Sequence, residues 1–181
     1  MSDSFGISRQ ETLLTSHIFA VERRTVSHHD GDFTRDIVIH PGAVAIVVVD
    51  DHDRVGLLRQ YRSSVDRVLW EIPAGTIDAA DCDARATAER ELLEEVGVHA
   101  ATWSKIVDVY VSPGWTNQIM HVFLASELTE EHRSPDGPEE RAAEVVWLTR
   151  EQVREMLDSD EISDATLYIG LRHFLEVDDV P

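Results

Sequence analysis

Alternating apolar and polar residues predict a β-hairpin near the start of the chain. Apolar positions run from Ile18 to Val26, the turn-forming segment His29-Asp30-Gly31-Asp32 follows, and the pattern resumes from Phe33 to Ile39. Because two strands alone are only marginally stable in water, the hairpin needs another surface to pack against. We therefore expect residues 1–40 to form a small antiparallel β appendage to a main domain at residues 41–181.

The remaining pattern predicts a domain of mixed strands and helices. The run Ala43–Val49 is long enough for a buried strand and too short to span a membrane. Further strands are predicted at Val55–Tyr61, Val68–Ile72, Trp103–Val111, Ile119–Ala125 and Val145–Leu148. Helices are predicted at Asp83–Val96, Arg150–Leu157 and Asp164–Leu175, with N-caps at Asp83 and Ser163 and a loop at Thr129–Pro138. This order indicates an α/β (α+β) fold in which a mixed sheet is sandwiched between helices.

Charge and cysteine content limit the partners and the compartment. The 181 residues include 16 Lys+Arg and 35 Asp+Glu, for a formal charge of −19. This charge repels nucleic-acid backbones, so nucleic acid is not an expected partner, whereas a bound cation would still permit an anionic small molecule. With a single cysteine, Cys82, and no evident signal peptide or membrane span, the cytoplasm is the expected location. The nine histidines show no metal-ligand spacing, and His28-His29 is interpreted as part of an exposed turn.

The helix predicted at Asp83–Val96 crowds carboxylates together. At about 100° per residue, Glu91, Glu94 and Glu95 share one arc beside an apolar arc. Like charges four residues apart repel each other, and the C-terminal end of a helix disfavours anions. Arg90 can offset part of this cost, and Mg²⁺ or Mn²⁺ would remove the rest because both ions prefer oxygen ligands. The alternative is a solvent-facing acidic stripe.

The segment Gly75–Val98, GTIDAADCDARATAERELLEEVGV, resembles the Nudix box, the signature of hydrolases that act on nucleoside diphosphates linked to another moiety. Residues Arg90–Val98 match its Arg-Glu-aliphatic-x-Glu-Glu-x-Gly-aliphatic half at every position. The first half departs, because aspartate stands at position 81 where the family has glutamate, and one extra residue separates Gly75 from Arg90. Either Asp81 or Asp83 replaces that glutamate, or its role is absent.

Motifs outside the box resemble the ADP-ribose pyrophosphatase branch of the family. They are Arg59-Gln60-Tyr61-Arg62, Trp70–Gly75 and Ser112-Pro113-Gly114. The resemblance implies hydrolysis of ADP-ribose to AMP and ribose 5-phosphate, with Mg²⁺ or Mn²⁺ as cofactor. It also implies a homodimer in which the N-terminal strands swap between subunits. Another nucleoside diphosphate sugar or a dinucleoside polyphosphate is the alternative substrate, and a non-catalytic nucleotide-sensing domain is the alternative of another class.

The resemblance also implies roles for individual residues. The metal ligands would be Glu91, Glu94, Glu95 and the backbone carbonyl of Ala74, with Arg90 holding the glutamates in place. The catalytic base would be Glu140 or Glu139, with Glu140 slightly favoured; simple loop solubility is the alternative for both. Candidate substrate contacts are Arg62, Arg35, Arg59, Phe33 and Pro113. Guanidinium groups suit phosphate and ribose oxygens, although surface salt bridges would equally explain the arginines, and Phe33 equally suits the hairpin core.

Overall fold

The computed structural model describes residues 4–177, so the outer limits of the two predicted domains, at residues 1 and 181, lie outside the described residues. The strands are β1 (Gly6–Thr15), β2 (Ala20–Ser27), β3 (Phe33–Ile39), β4 (Ala43–Val49), β5 (Arg54–Arg62), β6 (Arg67–Glu71), β7 (Ala74–Thr76), β8 (Val98–Tyr110), β9 (Ile119–Glu130) and β10 (Glu144–Thr149). The helices are α1 (Ala84–Glu95), α2 (Gly137–Ala142), α3 (Arg150–Leu157) and α4 (Ala165–Glu176).

The N-terminal strands form a three-stranded antiparallel sheet in the order β1-β2-β3. The predicted hairpin is present as β2 and β3, and Gly31 takes a φ of 125° in the turn between them, a conformation that glycine adopts without steric cost. Strand β1 was not predicted, because all ten of its residues are exposed and apolar alternation is therefore absent. This sheet and the segment Val109–Met120 together form one compact unit.

The second compact unit contains Val44–Asp108 and the chain from His121 onward. Its sheet has seven strands in the path β10-β5-β4-β9-β8, with β6 paired to β5 and β7 paired to β4. The predicted mixed sheet with flanking helices is confirmed. Strand β4 is the centre of this sheet, and all seven of its residues are buried.

Helices cover both faces of β4. Val44, Ile46 and Val48 pack into one core cluster with Ala88 and Leu92 of α1. On the other face, a Cβ built on Gly170 of α4 would lie 3.0 Å from the Val47 side chain, so the helix approaches the strand closely there. Because side chains alternate across a strand, one apolar run supplies both cores. Each fully buried aliphatic side chain contributes about 1.5–3 kcal/mol.

Two helix boundaries differ from the sequence expectation. The predicted loop at Thr129–Pro138 is present at residues 131–136, but its first two residues end β9 and its last two begin α2. Its prolines, glycine and charges concealed a six-residue helix whose N-terminal turn accommodates Pro138. Asp164, and not Ser163, caps α4, because its side chain accepts a hydrogen bond from the Leu167 N–H. Among residues 4–177, no helix is long and apolar enough to cross a membrane.

Candidate active site

Helix α1 presents two of its carboxylates to the protein interior. The helix begins at Asp83, whose side chain accepts a hydrogen bond from the Ala86 N–H, as the N-cap prediction requires. Glu91 is 7% exposed and Glu95 is 2% exposed. A solvent-facing acidic stripe is therefore wrong for these two residues. Buried carboxylates need compensation, and the surroundings of α1 show where it comes from.

Strand β7 lies directly against these carboxylates. The Ala74 N–H donates to Glu95 Oε2 over 2.9 Å, which fixes the Glu95 side chain beside the strand. A Cβ added to Gly75 would lie 1.9 Å from Glu91 Cδ, closer than any real contact allows. The absence of a side chain at Gly75 therefore creates the space that the Glu91 carboxylate occupies.

Arg90 joins the glutamates to the loop that precedes α1. Its Nη1 atom donates to Glu91 over 2.8 Å and to Glu94 over 3.0 Å, while Nη2 donates to Asp81 over 3.1 Å. Asp81 also accepts from the Thr87 hydroxyl over 2.8 Å, and hydrogen bonding from Arg90 keeps the pKa of Asp81 below its usual value. The sequence left open which of two aspartates replaces the family's glutamate. In the structure Asp81 contacts Arg90, whereas Asp83 caps the helix.

Burial makes the anionic forms of the two interior glutamates unfavourable. It raises the pKa of Glu91 to about 7, an effect that Arg90 opposes and Glu94 reinforces. Burial raises the pKa of Glu95 to about 8, although the hydrogen bond from Ala74 partly favours the anion. Like-charge repulsion adds to the raised pKa of both, because Glu91 acts on Glu95 and Glu140 acts on each. A bound cation would favour the ionised forms.

These residues fit a hard divalent cation. Glu91, Glu94 and Glu95 offer only oxygen donors, and Mg²⁺ and Mn²⁺ bind carboxylate oxygens while keeping other positions for water and phosphate. Glu91 and Glu95 are almost fully buried. Arg90 donates a hydrogen bond to Glu91, whereas the hydrogen-bond donor to Glu95 is the uncharged Ala74 N–H. The donor set, its burial and the space at Gly75 suit such an ion, and the assignment of these residues as metal ligands stays a prediction.

Helix α2 carries both candidate bases. Glu139 and Glu140 are each half-buried. Glu140 Oε2 accepts a hydrogen bond from the Asp136 N–H over 2.7 Å, and burial raises the Glu140 pKa, with further contributions from Asp136 and Glu94. Repulsion between Glu140 and the α1 carboxylates shows that Glu140 lies within their electrostatic reach. Glu139 contributes to the raised pKa values of Tyr61 and Arg62, and Arg62 also interacts with Glu140.

Strand β5 places Arg62 close to the carboxylate cluster. Its guanidinium forms a two-pronged ion pair with Glu71, in which Nε donates to Oε1 over 2.9 Å and Nη2 donates to Oε2. Glu71 is buried and the Arg62 side chain is about one-third exposed, so this salt bridge is only partly accessible to solvent, unlike the surface pair that the sequence allowed. Arg62 also interacts electrostatically with Glu95 and Glu139. Arg59 lies 3.7 Å from Glu144 and over the Trp70 ring.

The other candidate substrate contacts belong to the N-terminal compact unit. The Arg35 guanidinium lies over the Phe33 ring at 4.6 Å from its centroid, and Arg35 Nη1 also donates to the Thr34 carbonyl over 2.8 Å. Pro113 is exposed in the turn between β8 and β9, where the Trp115 N–H donates to the Ser112 carbonyl. One face of Phe33 is therefore already covered by a cation.

Most of the chain matches a known protein-family model. A model described as NUDIX domain matches residues 39–169. The chain belongs to the Nudix family. This Nudix hydrolase is 39% identical over 168 residues to an ADP-ribose pyrophosphatase of Mycobacterium tuberculosis, covering 92% of this chain and 81% of that protein. It is 41% identical over 141 residues to an ADP-ribose pyrophosphatase of Bacillus subtilis, covering 77% and 75%.

A solved structure supports the same fold. The chain is similar to a crystal structure of an ADP compounds hydrolase, with a TM-score of 0.80, 24% identity and 97% coverage of both chains. Nudix hydrolases require a divalent metal ion, which agrees with the carboxylate set of α1. Sequence reasoning missed two contributors to this site. The pairing of Glu71 with Arg62 has no sequence signal, because the two residues are not opposite each other in the β5–β6 register, where Leu58 faces Glu71 and Arg67 faces Arg62. Helix α2 was concealed by a composition typical of loops.

Proposed function

We propose that this Nudix hydrolase cleaves the diphosphate of ADP-ribose to give AMP and ribose 5-phosphate. The observation that carries the proposal is the pair of buried glutamates, Glu91 and Glu95, fitted against Ala74 and Gly75. Curated relatives with the same activity in their names, at 39% and 41% identity over most of the chain, supply the substrate class. A non-catalytic sensor would not need buried, mutually repelling carboxylates to stay together.

Mg²⁺ is the proposed ion, and Mn²⁺ is its natural substitute because it accepts the same oxygen ligands. Glu91, Glu94, Glu95 and the Ala74 carbonyl would hold it. When bound, the ion supplies positive charge that neutralises the diphosphate and favours attack by water. The choice between the two ions is testable by comparing hydrolysis rates at equal free concentrations.

The protein's own groups supply positioning and proton transfer. Glu140 takes a proton from the attacking water as the water oxygen bonds to phosphorus and the bridging oxygen leaves. Its raised pKa suits a group that must accept a proton near neutral pH. Arg90 holds Glu91 and Glu94 in fixed orientations through its two Nη1 hydrogen bonds. Glu139 is the alternative base.

Arg62 is proposed to contact a substrate phosphate. Its ion pair with Glu71 fixes the plane of the guanidinium while leaving it within electrostatic reach of the metal-binding carboxylates. A guanidinium fixed on one edge can still donate from the other to phosphate oxygens. Arg59 and Arg35 are proposed to contact phosphate or ribose oxygens. Phe33 is proposed to contact the adenine ring, and Pro113 to contact the substrate from its turn.

We further propose that the protein is a homodimer formed through its N-terminal strands. The support is a set of exposed apolar side chains on and beside β1: Phe5 at 64%, Ile7 at 53% and Leu14 at 51% exposure. Exposed apolar clusters of this kind mark association surfaces. Light scattering coupled to size exclusion should give twice the chain mass. We also propose a cytoplasmic enzyme with no nucleic-acid partner, since the charge is −19 and Cys82 is the one cysteine.

A substrate panel tests the proposed activity. Purified protein with Mg²⁺ would be assayed on ADP-ribose, a GDP-linked hexose and a dinucleoside polyphosphate, with chromatographic detection of the mononucleotide. We expect the highest kcat/KM for ADP-ribose, by at least about tenfold. A higher kcat/KM for another substrate would mean that the protein is a hydrolase with a different preferred substrate. No turnover of any substrate at micromolar enzyme would overturn the proposal.

A further inference from the structure

We propose that the turn His28-His29-Asp30 is a second metal site that binds a transition-metal ion of the zinc, nickel or copper class. The turn follows β2 directly and lies within the N-terminal compact unit. Its donors are two imidazoles and one carboxylate, whereas the active-site donors are all oxygen atoms. The two sites should therefore select different ions.

The three side chains already converge. One ligand atom from each residue can be chosen so that all three lie within 4.8 Å of one another. Asp30 lies close to both rings, with Oδ1 at 3.1 Å from His29 Nε2 and Oδ2 at 3.7 Å from His28 Nδ1. His28 Nδ1 also accepts a long hydrogen bond from the Asp30 N–H over 3.4 Å, which a bound ion would replace. Zinc bonds of about 2.0–2.2 Å in tetrahedral geometry separate neighbouring donors by roughly 3.4 Å. Small side-chain rotations would bring this cluster to that spacing.

The surroundings hold one of the three ligands, His28, in place. The Phe5 ring stacks on His28 with centroids 4.5 Å apart and planes 11° apart, and the His28 side chain is 13% exposed. The Gly31 N–H donates to the His28 carbonyl over 2.9 Å and closes the turn. A shallow, solvent-open depression of about 450 Å³, lined by both histidines and Phe5, lies beside the rings and leaves room for waters on a bound ion. Preformed ligands lose less conformational entropy on binding.

The ligand chemistry defines the ion class. Neutral imidazole suits zinc, nickel and copper, while Mg²⁺ prefers oxygen donors and seldom gives up its waters to imidazole. Two histidines and one carboxylate leave at least one coordination position for water, as in open zinc sites. The proposed ligands are three consecutive residues of a turn and do not follow the helix-turn or Cys/His spacing of common zinc motifs.

Zinc titration of the full-length, tag-free protein tests the proposal. Mg²⁺ at about 10 mM would keep the active-site carboxylates occupied, while a chromophoric chelator reports zinc affinity and NMR of the histidine rings reports location. We expect affinity in about the micromolar range and shifts confined to the His28 and His29 ring signals. His29→Ala and Asp30→Asn should each weaken binding by about tenfold or more.

Two controls make the outcome decisive. His17→Ala removes an exposed histidine of the same compact unit and should leave zinc affinity unchanged. His28→Ala is avoided because it also removes the ring that Phe5 packs on. Unchanged zinc affinity in His29→Ala and Asp30→Asn, with circular dichroism matching the parent, would overturn the proposal. So would zinc binding that vanishes in Glu95→Gln, because the ion would then belong to the carboxylates of α1.

Discussion

Replacing Glu95 by glutamine should stabilise the metal-free protein while removing its activity. Glu95 is 2% exposed, and burial raises its pKa to about 8 from an ordinary value of 4.5. At about 1.4 kcal/mol per pH unit, a shift of this size costs the folded state up to roughly 5 kcal/mol once the group is ionised. The glutamine is neutral at every pH, and its amide oxygen can accept the same hydrogen bond from Ala74.

The sign of the pH dependence follows from the direction of the shift. A carboxyl group with a raised pKa holds its proton more tightly in the folded state than in the unfolded state. The folded protein is therefore favoured below about pH 4.5, and this contribution is lost as the pH rises towards 8. The Glu95→Gln variant should lie within about 1 kcal/mol of the parent near pH 5 and exceed its unfolding free energy by about 4–5 kcal/mol near pH 8.5.

Urea unfolding in the presence of a chelator measures this difference at both pH values. Glu89→Gln is the matched control, because Glu89 is exposed on the same helix and pairs with Arg85 over 2.8 Å. Its effect should stay within about 0.5 kcal/mol at either pH. A Glu95→Gln variant no more stable than the parent near pH 8.5 would refute the idea that the buried carboxylate is strained without a cation. Saturating Mg²⁺ should stabilise the parent and leave the variant nearly unchanged.

Three further substitutions examine the geometry. Gly75→Ala should keep the fold but lower metal affinity by at least about tenfold, because the new Cβ displaces the Glu91 carboxylate. Gly6→Ala is the control, because a Cβ there meets nothing within 4 Å, and it should have no effect in the same metal titration. Glu140→Gln should lower kcat by about 10²–10⁴, whereas Glu139→Gln should lower it by less than about tenfold, and the reverse order in steady-state kinetics would exchange their roles. Arg90→Lys should raise the metal concentration needed for half-maximal rate, since lysine cannot make the several hydrogen bonds of the guanidinium; an unchanged metal dependence would contradict its positioning role.

The sequence was most informative where a single periodicity controlled local structure. Ala43–Val49 and Arg150–Leu157 occur with the predicted limits, because a continuous apolar run and a regular amphipathic repeat each leave little choice of structure. Asp83 capped α1 as predicted, since a side-chain oxygen before an apolar repeat satisfies a free backbone N–H. Strand β1 has all ten residues exposed, so its pairing with β2 left no hydrophobic pattern to detect.

The candidate site was predictable in composition but not in burial. The carboxylates of Glu91 and Glu95 could be assigned to one helix face, yet only the packing of β7 against α1 shows that they are interior. The role of the aspartate at position 81, where the family has glutamate, also could not be read from the sequence. In the structure its shorter side chain still reaches Arg90 Nη2 over 3.1 Å. Long-range contacts of this kind depend on tertiary packing and leave no periodic signal in the sequence.

The most direct test of the account is AMP release from ADP-ribose as a function of free Mg²⁺, measured for the parent and for Glu95→Gln. We expect no product in a chelator, recovery of the rate when Mg²⁺ is restored, and at least about a hundredfold lower kcat in the variant even at saturating Mg²⁺. Equal rates in the two proteins, or AMP release that persists in the chelator, would contradict a metal-dependent hydrolase built on the buried glutamates of α1.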